Sequence, residues 1–270
     1  MKIFIVIFSS LLLFATQAKV TNLSHDQYLK VNELIKEIRI SDKESPILLV
    51  SDFDNTLMKP LNILGSDQFY EWQANLIKTD SPKKDFADFD EFMNTHQKAM
   101  MLTNMAPTDP EIPSFLKNLE DKNVKMFILT SRGPIFRSIT ERDLDKFAMP
   151  VRKLSPFPGF IYEGTLNERE VHFQNGIFFT SGLNKGEALF FLLNLNQANF
   201  THVIFIDDME KHTIAMTEYL QKNPELDKKI NIYNIRYSKE DDAKANFLKN
   251  EKKAKKEIKQ FKQFLKKHFP

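Results

Sequence analysis

The stretch ILLVSDFDNTLMKP, residues 47–60, carries an apolar run into two carboxylates, Asp52 and Asp54. Residues two apart on an extended chain project to the same side. Two acids placed there repel each other, and each loses water on burial. A fold has no need of that arrangement, but some chemistries do. Further along, VKMFIL runs into Thr130, Ser131 and Arg132; HVIFI runs into Asp207 and Asp208; Lys185 opens the apolar segment that precedes HVIFI. Gathered acids need a cation to offset their repulsion, and hard oxygen donors favour Mg²⁺. A Mg²⁺ site beside a lysine and a hydroxyl suits a phosphoryl group, which Asp52 alone would repel. Asp52 could attack phosphorus and form an aspartyl-phosphate. Asp54 could protonate the leaving oxygen and then activate the water that cleaves the intermediate.

These residues need elements to hold them. SHDQYLKVNELIKEIRI reads as a helix with Tyr28, Val31, Leu34, Ile35 and Ile38 on one face. Four strand-like runs, ILLVS, VKMFILTS, HVIFID and INIYNIRY, are separated by helical patterns, the order of an α/β fold with a doubly wound parallel sheet. In such a sheet, ligands gather at the carboxyl ends of the strands, where all the residues above fall. Residues 60–110 break the alternation with two helical patterns, SDQFYEWQANLIK and FDEFMNTHQKAMMLTNM, and predict an inserted helical cap. Trp72, in the first of them, is expected in the insert's own core. Residues 159–183 contain Asn175-Gly176 between two apolar runs, a hairpin signal, and predict a β-hairpin insert. The tail, 238–270, holds eleven Lys against five acids, with Phe247, Ala254, Ile258, Phe261 and Leu265 at helical spacing. It predicts a solvated helix docked on the core. Its distance from Asp208 predicts no part in the chemistry.

DFDNTL resembles the first motif of the haloacid dehalogenase-like superfamily, and FILTS, LNKGEAL and IFIDD resemble the other three, in order, between residues 52 and 208. The resemblance implies a Rossmann-like core, residues 19–59 and 111–270, and a phosphatase that forms an aspartyl-phosphate. It implies phosphate binding by Thr130, Lys185 and, beside them, Ser131 and Arg132. It implies a Mg²⁺ site from the Asp52 carboxylate, the Asp54 carbonyl and Asp207, with Asp208 at hand. Dehalogenation is disfavoured, because that branch does not need the metal acids. A phosphotransferase on the same residues, or a non-catalytic binding module of the same fold, are the alternatives. The chain is also similar to a family of secreted proteins of this superfamily, of uncharacterised function, from bacteria that live inside host cells, through LGSDQFYEW and NGIFFTSGLNKGEAL.

Composition narrows the classes. A net charge of +2 over 270 residues carries no global nucleic-acid signature, so a small phosphomonoester is the expected partner. The chain has no Cys, which excludes disulfides, thiolate zinc sites and a Cys nucleophile. The six His show no metal-ligand spacing, and His212 is expected to pack or face solvent. MKIFIVIFSSLLLFATQA reads as a signal peptide, residues 1–18, cut after Ala18. It is short for a bilayer span of about 20 residues. A secreted or periplasmic protein without a stable membrane span is therefore expected.

Overall fold

The structure is a computed structural model that describes residues 20–224 and 230–268. The signal-peptide reading of residues 1–18 lies outside the described residues. Strand β1 (Val20–His25) leads to α1 (Lys30–Ser41), and β2 (Ile47–Ser51) delivers the chain to Asp52. Short antiparallel strands β3 (Met58–Pro60) and β4 (Met105–Pro107) bracket α2 (Asp67–Lys78) and α3 (Phe89–Leu102). Helix α4 (Ile112–Lys117) feeds β5 (Val124–Thr130), followed by α5 (Arg137–Lys146) and α6 (Val151–Leu154). Strands β6 (Tyr162–Leu166), β7 (Arg169–Gln174) and β8 (Ile177–Phe179) come next. Then α7 (Lys185–Leu195), β9 (His202–Asp207), α8 (Glu210–Lys222) and β10 (Asn231–Tyr237) alternate. Helices α9 (Asp241–Lys249) and α10 (Glu251–His268) follow.

The fold is α/β, with an eight-stranded sheet in the order β1-β10-β9-β2-β5-β8-β7-β6. From β1 across to β8 every neighbouring pair is parallel; β8/β7 and β7/β6 are antiparallel. The sheet is covered on both faces, which is why β2 is apolar at successive positions. Leu48 and Val50 pack into one core cluster with Phe127, Leu189 and Phe205, whereas Ile47 and Leu49 pack into the other with Ile35, Met126 and Ile204.

Three sequence expectations are corrected. The N-terminal helix begins at Lys30, not Ser24, because Ser24 and His25 end a strand. That edge strand is short and half-polar, and its partner β10 lies some two hundred residues away, so no local signal marks it. The hairpin is present, with Asn175 and Gly176 both at positive φ as a two-residue primed turn requires. It is not a free-standing insert, however: the fully buried β8 pairs with β5 and continues the main sheet. The tail is two helices, broken at Asn250, and it docks on the helical cap. Ile258 packs with Phe69, Phe86 and Phe92, and Phe247 meets Trp72 edge-on at 5.9 Å. The cap itself has Ser66 and Asp88 as helix caps, accepting from the Phe69 and Glu91 amides. Among the described residues no helix is long and apolar enough to cross a membrane.

Candidate active site

The register of β2 against β9 sets the centre of the site. Ser51 pairs with Ile206, so Asp52 and Asp207 emerge side by side, and the Asp52 amide donates to the Ile206 carbonyl at 2.9 Å. The chain then turns sharply. Asn55 adopts φ 54°, a left-handed conformation that Asn tolerates, and the Leu57 and Met58 amides both return to the Phe53 carbonyl. This turn seats Thr56 between the two strand ends. Its hydroxyl donates to Asp52 Oδ2 at 3.4 Å and accepts from the Asp208 amide at 3.0 Å.

Lys185 enters from the first turn of α7. Its helix packs closely on α8: a Cβ on Gly186 would lie 2.7 Å from Tyr219 Cβ, so only glycine permits the approach. Lys185 has no exposed surface, and its Nζ donates to Asp52 Oδ1 and, at 2.6 Å, to Asp207 Oδ2. A cation at a helix N-terminus is disfavoured by the dipole, so the two acids hold it there. Burial alone would favour neutral Lys185, but Asp207 and Asp52 outweigh it and raise its pKa. Burial pushes Asp207 upward, yet Lys185 and His212 overturn this and hold it well below the usual carboxylate range. Asp52 is raised to about 6, by burial and by Asp207 and Asp54 against the pull of Lys185.

Arg132 has a partner that the sequence did not reveal. Its Nε and one terminal nitrogen each donate to Asp54 at 2.7 Å, and the guanidinium lies 4.4 Å from the Phe53 ring centroid. Its remaining nitrogen donates to Thr140 at 2.9 Å. The guanidinium is thus engaged by the acid of the first motif at the strand end where a phosphate contact is expected of it. Thr130 lies buried at the end of β5, its hydroxyl accepting from the Arg132 amide at 3.2 Å. The adjacent Ser131 hydroxyl is buried and has no hydrogen-bond partner among the described residues.

Asp208 is nearly fully buried and pushed up to about 8 by burial, Asp207 and Asp52, against the pull of Lys244. Lys244, on α9, donates to the Asp208 carboxylate and, at 3.3 Å, to its carbonyl. The tail therefore reaches the site, contrary to the expectation that it stands apart. Asp67, at the start of cap helix α2, adds another acid, raised well above the usual range by burial and by Asp54, Asp208 and Asp52. His212 Nδ1 lies 3.0 Å from both Asp207 oxygens. It is a partner of the site rather than a surface residue. Its position five residues after Asp207, in the first turn of the next helix, was the only signal for it in the sequence.

Asp52, Asp207 and Asp208 each offer an oxygen, all within 4.8 Å of one another. Five acids converge here, Asp52, Asp54, Asp67, Asp207 and Asp208, against three cations, Lys185, Arg132 and Lys244. With all five ionised the shortfall equals the charge of one divalent cation, and the all-oxygen donor set fits Mg²⁺ chemistry.

Residues 27–270 match the profile of a family described as a protein of unknown function, DUF2608. No curated protein matches the sequence. Among solved structures, the chain is similar to the HAD domain of the effector protein Lem4 from Legionella pneumophila, with 16% identity, 72% of this chain and 85% of that chain covered, and a TM-score of 0.40. It is also similar to a class C acid phosphatase from Bacillus anthracis with tungstate bound (14% identity, 78% and 75% covered, TM-score 0.39). A haloacid dehalogenase-like family protein from Streptococcus pneumoniae is similar at 12% identity, with 75% and 98% covered and a TM-score of 0.40.

Proposed function

The chain belongs to the DUF2608 family, whose description assigns no function, and we propose from its own strand-end residues that it is a Mg²⁺-dependent phosphomonoester hydrolase of the haloacid dehalogenase-like type. The observation that carries this reading is the cluster of Asp52, Asp207 and Asp208, with Lys185 bonded to the first two. A divalent cation held by Asp52, Asp207 and Asp208, with the Asp54 carbonyl, would neutralise charge on the phosphoryl oxygens.

The chain's own residues do the rest. A carboxylate oxygen of Asp52 bonds to phosphorus as the ester P–O bond breaks, and Asp54 gives its proton to the departing alcohol. Asp54 then takes a proton from water, whose oxygen attacks phosphorus, releasing phosphate and restoring Asp52. Lys185 fixes the Asp52 carboxylate, and Thr130 and Ser131 offer hydroxyls at the adjoining strand end. Arg132 holds both oxygens of Asp54 in the state described. An incoming phosphoryl group competes for that guanidinium and frees Asp54 to carry a proton. Export to the periplasm or beyond belongs to the same proposal. It is supported by the leader-like residues 1–18 and tested by N-terminal sequencing of protein recovered outside the cytoplasm, which should begin at Lys19.

The test of activity is a panel of phosphomonoesters offered to purified protein with and without Mg²⁺. Saturable phosphate release that depends on the metal is expected. Release to water rather than to an added alcohol separates hydrolysis from transfer. Absence of turnover with every ester and every divalent metal would overturn the reading.

A further inference from the structure

A cavity of about 290 Å³ opens from the catalytic edge at Asn55 and Asp208 and runs between cap helix α2 and tail helix α9. Trp72 from the cap and Phe247 from the tail wall it, their rings 5.9 Å apart and nearly perpendicular. Phe247 and Lys244 are three apart on α9, so one face of that helix presents both the ring and the ammonium. The volume lies at the small end for ligand sites, which combine apolar walls with a few polar groups. Its other ionisable walls are acids: Asp67 accepts from Asn55 at 3.4 Å, and Glu71 is paired at 3.2 Å with Lys211. Lys244 is the one basic residue among the lining residues described, and Asp208 already holds it.

We infer that this cavity is the leaving-group pocket and that it takes a phosphomonoester whose alcohol carries one flat aromatic ring. The inference rests on the hydrolase reading for the phosphoryl end and adds the ring. Two edge-on aromatic side chains give a flat ring favourable contacts that an aliphatic chain of equal length does not receive. The tail thereby acquires a role: without α9 the pocket has one wall.

Trp72 is the only tryptophan of the chain, so its emission reports this cavity directly. The probes are phenyl phosphate and a nucleoside 5′-monophosphate as the two sources of a ring, against glycerol phosphate and inorganic phosphate. Binding is measured on the Asp52→Asn protein with Mg²⁺, and turnover on the unaltered chain. Both ring esters are expected to change Trp72 emission saturably, and the ringless ligands are not. The tighter of the two ring esters identifies the source. Phe247→Ala and Phe247→Leu should each weaken ring esters by about tenfold and glycerol phosphate by clearly less, and Phe247→Tyr should restore binding. Emission blind to ring esters, or an equal loss for glycerol phosphate, would overturn the pocket. Turnover of esters without ring preference sinks the pocket and leaves the hydrolase standing. Ring esters that move Trp72 without any turnover sink the hydrolase and leave the pocket standing.

Discussion

The two halves of this site are built in different ways. On the sheet side, Asp52, Asp207 and Lys185 hang from parallel strands and a helix start whose positions follow from backbone register, and they close into fully buried ion pairs. On the lid side, Asp67, Trp72, Lys244 and Phe247 come from an insert and a tail that meet through side-chain packing and through lysine contacts, such as Lys262 with Glu91 and the Asp85 carbonyl, rather than through strand pairing. The sheet half fixes the chemistry with little freedom to move. In the proposed hydrolase the lid half is the part that selects the substrate. A substitution in the first half should therefore abolish turnover, and one in the second should change what is bound.

The largest effect is expected at Asp52. Asp52→Asn keeps the shape but removes the nucleophile, and turnover should fall by roughly 10⁴-fold or more. The melting temperature should be unchanged or raised, because one of several crowded acids is lost. Asp54→Asn should cost about 10²–10⁴-fold. Steady-state kinetics beside a melting curve checks both. Lys185→Met comes next. It leaves Asp52 and Asp207 buried and uncompensated, at a cost of about 3–5 kcal/mol in metal-free protein, and lowers turnover by about 10²-fold or more. Denaturation with and without Mg²⁺ should show the metal recovering part of the lost stability. If Lys185→Met were as stable as the parent without metal, the account of the sheet half would be wrong.

Breaking the lid half is gentler. Ile258 is buried among Phe69, Phe86 and Phe92, so Ile258→Ala should cost about 2–4 kcal/mol where α10 meets the cap. It should raise KM while leaving kcat close to the parent's. A matching loss of kcat would mean that the lid belongs to the chemistry.

The halves also titrate in opposite senses. Burial first, then its acidic neighbours, raise Asp208 to about 8, so in metal-free protein its folded form keeps a proton that the unfolded chain sheds near pH 4. That contribution to stability is present at low pH and is lost as pH rises toward 8. Mg²⁺ should flatten this slope. Burial lowers His96, in the cap beside Phe92, to about 4. Its contribution is present above pH 6.5 and is lost as pH falls toward 4, at most about 3 kcal/mol. With Mg²⁺ saturating, His96→Gln should remove that acid-side loss. An identical acid limb in the variant would show that His96 carries no such linkage.

How much of this was legible in the sequence follows the same division. The apolar runs ending in Asp52, Thr130 and Asp207 gave the sheet and its loaded edge, because fully buried parallel strands are continuous apolar runs whatever their partners. Order along the chain brought Lys185 to the same edge as an expected phosphate contact, but its pairing with Asp52 and Asp207 emerges only from the fold. Edge strand β1 was not legible, since its pattern is half-polar and its partner distant. Nor was the role of Lys244: within a run of eleven lysines nothing local distinguishes the one that meets Asp208. Asp67 looked like an ordinary acid in a first helical turn, where the dipole favours it. Arg132 was seen as belonging to the site, but its partner Asp54 becomes apparent only once the turn after β2 is folded.

The central claim is covalent catalysis through Asp52. Protein mixed with a hydrolysed ester and Mg²⁺, quenched in acid within a turnover and digested, should carry a phosphoryl group on the peptide containing residue 52. The labelled fraction should rise in Asp54→Asn, where the intermediate forms but hydrolyses slowly, and vanish in Asp52→Asn. Phosphate on another residue, or full turnover in protein that never labels at Asp52, would contradict the account.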